Sequence, residues 1–269
     1  MTNRSMKWVQ LAPLLLFALA VWVLRENQNE VWTQVVRAKD LWRQGDRQGA
    51  IGLYQSIYQR YPKSRYTPDV LWELATIHSF EPDGAERAAY CFGQLALEFP
   101  GHPLALQARF RQAEIYGQEL DGLNRAGELW GLLLEEDLSL DFRNQVLFHL
   151  GSAHFKMSEF DQALHRLKLI LTLSRDTELV QQTRLLVGTI DQIQNRYEDS
   201  VEVLEEVLRH PECSECRLQA QLGLIQSYEV LDNLPDAIRV AESISASEFS
   251  EERKHGLVER LRRQAGRSR

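Results

Sequence analysis

Past residue 30 the apolar positions recur at spacings of three and four, as at Leu164, Leu167, Ile170 and Leu171. That rhythm places them on one face of an α-helix. Short polar segments interrupt it: Gln44-Gly45-Asp46, Met157-Ser158-Glu159, Gln194-Asn195-Arg196 and Asp232-Asn233. Such residues suit tight links between antiparallel helices. Pro62, Pro100 and Pro211 stand where the second helix of a pair should stop, because proline cannot continue a helix and pushes the residue before it toward extended geometry. The chain therefore reads as successive helical hairpins.

The hairpins share a register. Ala50, Ala88, Ala126, Ala163, Ser200 and Ala237 are separated by 38, 38, 37, 37 and 37 positions. Each is followed four places on by Tyr54, Phe92, Trp130, Leu167, Leu204 or Ala241. The first helix of each pair carries its own signature: Leu74-Ala75-Thr76-Ile77-His78, Gln112-Ala113-Glu114-Ile115-Tyr116, Leu150-Gly151-Ser152-Ala153-His154 and Val187-Gly188-Thr189-Ile190-Asp191. A small residue in the second place lets a neighbouring helix approach, and a large one three places later fills the space beside it. A fixed period of this size marks stacked hairpins.

These residues resemble the tetratricopeptide repeat family, whose pattern sets Leu-Gly, Tyr, Gly, Ala, an aromatic, Ala and Pro over about 34 positions. Six copies match, at 31–64, 69–102, 106–139, 144–177, 181–214 and 218–251. The third and fourth lack the closing proline, and the fifth has Ser200 in place of alanine. The resemblance implies an all-α fold, a right-handed superhelical solenoid of about six helix-turn-helix repeats. The long spacing and the Tyr61-Pro62-Lys63-Ser64 ending look like bacterial envelope members, the β-barrel-assembly lipoprotein and Tol–Pal-associated types.

The family also implies a concave groove lined by first helices. Carried over, its positions are Gln107, Phe110, Glu114 and Gln118; Gln145, Phe148, Ser152, Phe155 and Lys156; Gln182, Thr189 and Gln192; and Gln219, Gln226 and Glu229. Glutamine occupies one position in four successive copies (107, 145, 182, 219). Such amides could pair with an extended peptide backbone. Glutamine is equally a good exposed helix former. The Lys and Asn clamp by which some family members hold chaperone tails has no counterpart at these positions.

Residues 8–24 are almost wholly apolar, with Trp8 and Trp22 near the ends and Arg4 and Lys7 before them. Seventeen helical residues reach ~26 Å, near the short limit for a bilayer. An uncleaved signal-anchor is expected, with 1–7 as a basic lead, 25–30 as a polar linker, and the repeats outside the inner (cytoplasmic) membrane. Cleavage after Ala18-Leu19-Ala20 is the alternative and would release the chain into the periplasm. No cysteine ends the run, the first being Cys91, so a lipoprotein signal is excluded. Trp32 and Trp42, just past the run, could hold a partner or dock the first repeat.

Charge and chemistry change this picture little. The net charge of −7 provides no basic footprint for nucleic acid. Residues 252–269 concentrate arginine and fit an amphipathic helix closing the array, or a contact for anionic lipid or an acidic partner. Cys213-Ser214-Glu215-Cys216 could crosslink, cycle between thiol and disulfide, or bind metal with His210. Zinc normally takes four ligands, and the sequence nearby offers three. His78 and His154 stand at the family's aromatic position and are expected to pack in the core. No catalytic set, cofactor motif or small-molecule site is evident. The expectation is a membrane-anchored scaffold that holds proteins or peptides for an envelope complex. A redox or metal module and a cytoplasm-facing regulator of an enzyme are the alternatives.

Overall fold

All six small residues of the register, Ala50, Ala88, Ala126, Ala163, Ser200 and Ala237, are fully sealed from solvent. The computed structural model describes residues 28–118, 121–175, 177–210, 213–245 and 249–267. Among the described residues the regular elements are all α-helices. They run α1 (28–43), α2 (Arg47–Arg60), α3 (Thr67–Ser79), α4 (Ala85–Glu98), α5 (Ala105–Gln118), α6 (Leu123–Leu134), α7 (Leu140–Lys156), α8 (Phe160–Leu173), α9 (Thr177–Ile193), α10 (Tyr197–Arg209), α11 (Ser214–Val230), α12 (Leu234–Glu242) and α13 (Glu251–Arg267). α7, α9 and α11 begin four residues ahead of the expected fourth, fifth and sixth copies. Residues 28–30, expected as linker, already belong to α1.

The chain divides into two compact units, Met1–Gly122 and Leu123–Arg269. In the first, α2 packs on α3, α3 on α4 and α4 on α5. Their core runs from Val31 and Val35 through Tyr54, Leu71, Ala75 and Phe92 to Ala108 and Ile115. Trp42 packs against that core, and Trp32, half exposed, lies 5.2 Å from the Tyr66 ring. In the second unit each helix from α6 to α13 packs on the next, and α9 also touches α7 and α11.

The second unit shows why the small residues are needed. A Cβ placed on Gly151 of α7 would come within 2.9 Å of Leu167 Cγ and Cδ2 on α8. On Gly188 of α9 it would come within 2.7 Å of Leu204 Cγ and Cδ2 on α10. Leu167 and Leu204 are the large residues four places after the register positions Ala163 and Ser200. The two signatures of a hairpin are thus the two sides of one contact.

The turns inside the hairpins repeat as closely. Gly45, Ser158, Asn195 and Asp232 all have positive φ, between 54° and 85°. In each case the next residue's amide donates to a carbonyl five places back: Asp46 to Leu41, Glu159 to His154, Arg196 to Asp191 and Asn233 to Tyr228, at 2.8–2.9 Å. This is the Schellman closure, which satisfies carbonyls that a helix end leaves open. The side chains across it pair as well. His154 Nδ1 lies 2.6 Å from Glu159 Oε2, and Arg196 donates to Asp191. The longer turn after α3 uses the same device: buried His78 donates to Glu81 Oε2 at 2.6 Å, with Arg87 at 3.1 Å. The two histidines are therefore polar locks on turns as well as packed side chains.

α13 closes the array by burying Val258 and Leu261. Three of its basic groups are engaged nearby: Arg260 with Glu229, Arg262 with Glu242, and Lys254 Nζ with the Ile244 carbonyl. Among the described residues no helix is long and apolar enough to cross a membrane. The expected anchor at 8–24 lies outside the described residues.

Two measurements check this packing. Replacing Gly188 with Ala should lower stability by about 1–3 kcal/mol through overpacking. Gly52→Ala, at an exposed helical position with nothing within 4 Å of the added Cβ, should raise it by up to about 1 kcal/mol. Thermal denaturation of the two variants must move in opposite directions. The hydrogen bond from His78, aided by the charges of His78 and Arg87, holds the Glu81 carboxyl below its ordinary 4.5 against the opposing effect of burial. A carboxyl with a lowered folded pKa stabilises the fold above the unfolded value, and that contribution is lost as pH falls through the folded one. Glu81→Gln should therefore lower the melting temperature at pH 7, and its deficit should shrink as pH drops below about 4.5.

Candidate functional site

Three first helices of the second unit face a common cleft of about 690 Å³. α7 contributes Phe148, Ser152, Phe155 and Lys156; α9 contributes Glu178, Gln182, Leu185, Leu186 and Thr189; the start of α11 contributes Cys213, Glu215, Cys216 and Gln219. The register explains the convergence. Phe148 and Leu185 are 37 positions apart, as are Ser152 and Thr189, and Gln182 and Gln219. Equivalent positions of stacked hairpins point the same way, so the cleft repeats one helical face.

The apolar part of the wall is Phe148, Phe155, Leu185, Leu186 and the cystine, all partly or fully buried. Lys156, Glu178, Glu215 and Gln219 are exposed. Gln182 donates to Glu178 at 3.5 Å, and the Thr189 hydroxyl donates to the Leu185 carbonyl at 2.8 Å. Apolar pockets beside amides and charges can take side chains and main chain of an extended peptide together.

Seven expected groove residues meet here: Phe148, Ser152, Phe155, Lys156, Gln182, Thr189 and Gln219. The others do not line this cleft. Gln192 turns inward, donating to the Gly223 carbonyl at 2.7 Å and the Ser227 hydroxyl at 2.8 Å, and so ties α9 to α11. Glu229 receives Arg260. Gln145 and Gln226 are exposed outside the lining. In the first unit Phe110 is buried and Gln107 exposed. Glu114 and Gln118 line a smaller cleft of about 370 Å³ with Trp72, Phe80, Phe92 and Arg111. The proposed run of four glutamines reduces to two at the cleft, Gln182 and Gln219.

The sequence reading missed Glu178, Leu185, Leu186 and Glu215. The first three could have been found, since 178, 182, 185, 186 and 189 follow one helical face. It also missed that the Cys-x-x-Cys pair belongs to the same wall. Cys213 and Cys216 are joined as a disulfide, so their sulfurs are not metal ligands in this state. Among the described residues no group of three or more His, Cys, Asp or Glu is arranged to hold a metal ion. Cys91, in the first unit, is a buried free thiol pushed up to about 11 by burial.

Comparison with known proteins agrees with this architecture. A tetratricopeptide repeat family model matches residues 37–64. No curated protein matches the chain by sequence. Among solved structures, a tetratricopeptide repeat protein from Parabacteroides merdae ATCC 43184 is similar, with a TM-score of 0.61 at 15% identity over 88% of this chain and 87% of that one. PilF of Pseudomonas aeruginosa is similar at 0.58 and 12% identity, over 88% and 99%. YrrB, described as a tetratricopeptide repeat protein with an unusual peptide-binding site, is similar at 0.57 and 12% identity, over 78% and 97%.

Proposed function

The chain is a tetratricopeptide repeat protein, and from that premise we propose that it is a non-enzymatic scaffold whose cleft between α7, α9 and α11 holds an extended segment of a partner protein. The observation that carries this reading is the convergence of seven expected groove residues, among them the register pairs Ser152/Thr189 and Gln182/Gln219, on one apolar, amide-edged cleft. YrrB, a structural neighbour, is described by its own peptide-binding site, which supports the reading.

The finer proposal concerns place. The apolar run 8–24, preceded by Arg4 and Lys7, fastens the repeats to the inner membrane with the cleft on the extracytoplasmic side, where the chain helps assemble an envelope complex. The cystine in the cleft wall supports an oxidising compartment.

A photo-crosslinking amino acid at Gln182, in the full chain in its own cells, should give one discrete adduct. The same group at Gln59, outside the cleft, should not. Phe148→Ala with Phe155→Ala should weaken capture by about 10- to 100-fold, the scale of losing two apolar anchors, while leaving the helical circular dichroism unchanged. Equal capture by parent and double variant would remove the cleft from the function. For location, a reporter active only outside the cytoplasm, fused after Arg269, should be active, and the chain should sediment with membranes. An inactive reporter or a freely released chain would overturn the anchored, outward-facing arrangement.

A further inference from the structure

The Cys-x-x-Cys pair has a setting that a simple crosslink does not require. Its sulfurs are three residues apart in sequence, and a bond closing so short a loop removes little disorder from the unfolded chain. Both residues sit mostly within the core of the second unit, at 8% and 4% exposure. Yet both line the open cleft, together with Phe148, Phe155 and Gln219. The route to the sulfurs therefore lies through the cleft.

The two sulfurs also differ. Cys213 is the N-cap of α11, a helix of seventeen residues, and its Sγ accepts the Cys216 amide at 3.2 Å. Negative charge on Cys213 Sγ would meet an N–H donor and the positive end of the helix. The cap position is thus built for a thiolate, and Cys216, inside the first turn, stands ready as its partner.

We propose that Cys213 and Cys216 are a redox-active pair that exchanges disulfides with a thiol- or disulfide-bearing molecule seated in the cleft. In the oxidised state, a guest thiolate attacks Cys213 Sγ. A guest–Cys213 bond forms, the Cys213–Cys216 bond breaks, and Cys216 leaves and takes a proton from solvent. A second guest thiolate then attacks the guest sulfur, a guest disulfide forms, and Cys213 leaves as the capped thiolate, so the guest dithiol is oxidised and the pair is reduced. In reverse, the Cys213 thiolate attacks a guest disulfide and expels one guest thiolate. Cys216, giving its proton to solvent, then expels the other and restores the internal bond. Each pass in one direction moves two electrons and consumes one guest dithiol or one guest disulfide.

The reverse direction is tested with glutathione disulfide and the full chain, reduced and desalted, at pH 7. In Cys216→Ser, Cys213 should take up glutathione at least about 10-fold faster than Cys216 does in Cys213→Ser, with adducts located by peptide mass. Buried Cys91 should stay unmodified in both and serves as the internal control. The unsubstituted chain should release two glutathione thiols per disulfide consumed and end with the Cys213–Cys216 bond. That measurement stands even if a serine variant does not fold. Equal rates in the two variants, uptake no faster than at Cys91, or a stable glutathione adduct on the unsubstituted chain would overturn the proposal. Because glutathione needs no peptide partner, such a failure leaves the scaffold reading untouched, and loss of crosslinking at Gln182 leaves this one untouched.

Discussion

The fold depends on how closely the two helices of a hairpin can approach. At Gly151 and Gly188 there is no room for even a methyl group, because Leu167 and Leu204 occupy it. The α7–α8 and α9–α10 hairpins thereby each present a tight seam, with a small residue on the first helix and a large one on the second. The small residues of the second helices, from Ala50 to Ala237, are sealed to the same degree. In the second unit these hairpins also touch one another, α7 against α9 and α9 against α11, so the repeat of one local constraint sets the spacing of the first helices there.

The constraint at the seam leaves the rest of each helix free to vary, and the turns show how. The residue that opens the Schellman closure is Leu41, His154, Asp191 or Tyr228. The family resemblance leads one to expect an aromatic there. Where histidine or aspartate has replaced it, a charged partner stands across the turn: Glu159 for His154 and Arg196 for Asp191. Tyr228 instead reaches back to Glu205 on α10 with its hydroxyl, at 2.6 Å. A packing contact has been exchanged for a pair in two hairpins while the backbone closure is unchanged. The turn geometry is therefore set by main-chain bonds and the left-handed residue, and the side chains adapt to it.

The division between what was legible in the sequence and what was not follows from this. Register and turns repeat, so the sealed small residues and the turn positions at Gly45, Ser158, Asn195 and Asp232 could be read from the sequence. The cleft is legible only in part, because a register position fixes the direction of a side chain and not what it meets. Gln192 shares its register with Phe155 and Glu229, yet its amide is drawn inward by the Gly223 carbonyl. That bond depends on how α11 lies against α9, which spacing does not encode. Phe110 belongs to the same register as Phe148 but is more deeply buried. The glutamine series divides for a related reason: Gln182 and Gln219 line the cleft, while Gln107 and Gln145 are exposed outside its lining.

The cystine joins the two levels of the structure. It sits where α11 starts, so it acts on a helix end, and the part of the cleft wall that α11 supplies lies within its first two turns: Glu215, Cys216 and Gln219. A change at the two sulfurs cannot be confined to the core, because the Cys216 amide that binds Cys213 Sγ belongs to the same turn that carries Gln219 into the cleft. Opening the bond leaves that amide its acceptor but frees the two side chains to separate, and the apolar wall next to Phe148 and Phe155 changes with them. The start of α11 is the part of this wall that carries a disulfide, so it is where thiol–disulfide chemistry can act on the cleft. On the proposed reading, a guest in the cleft and the sulfur pair meet at the same residues, because Cys213, Cys216 and Gln219 all line the wall.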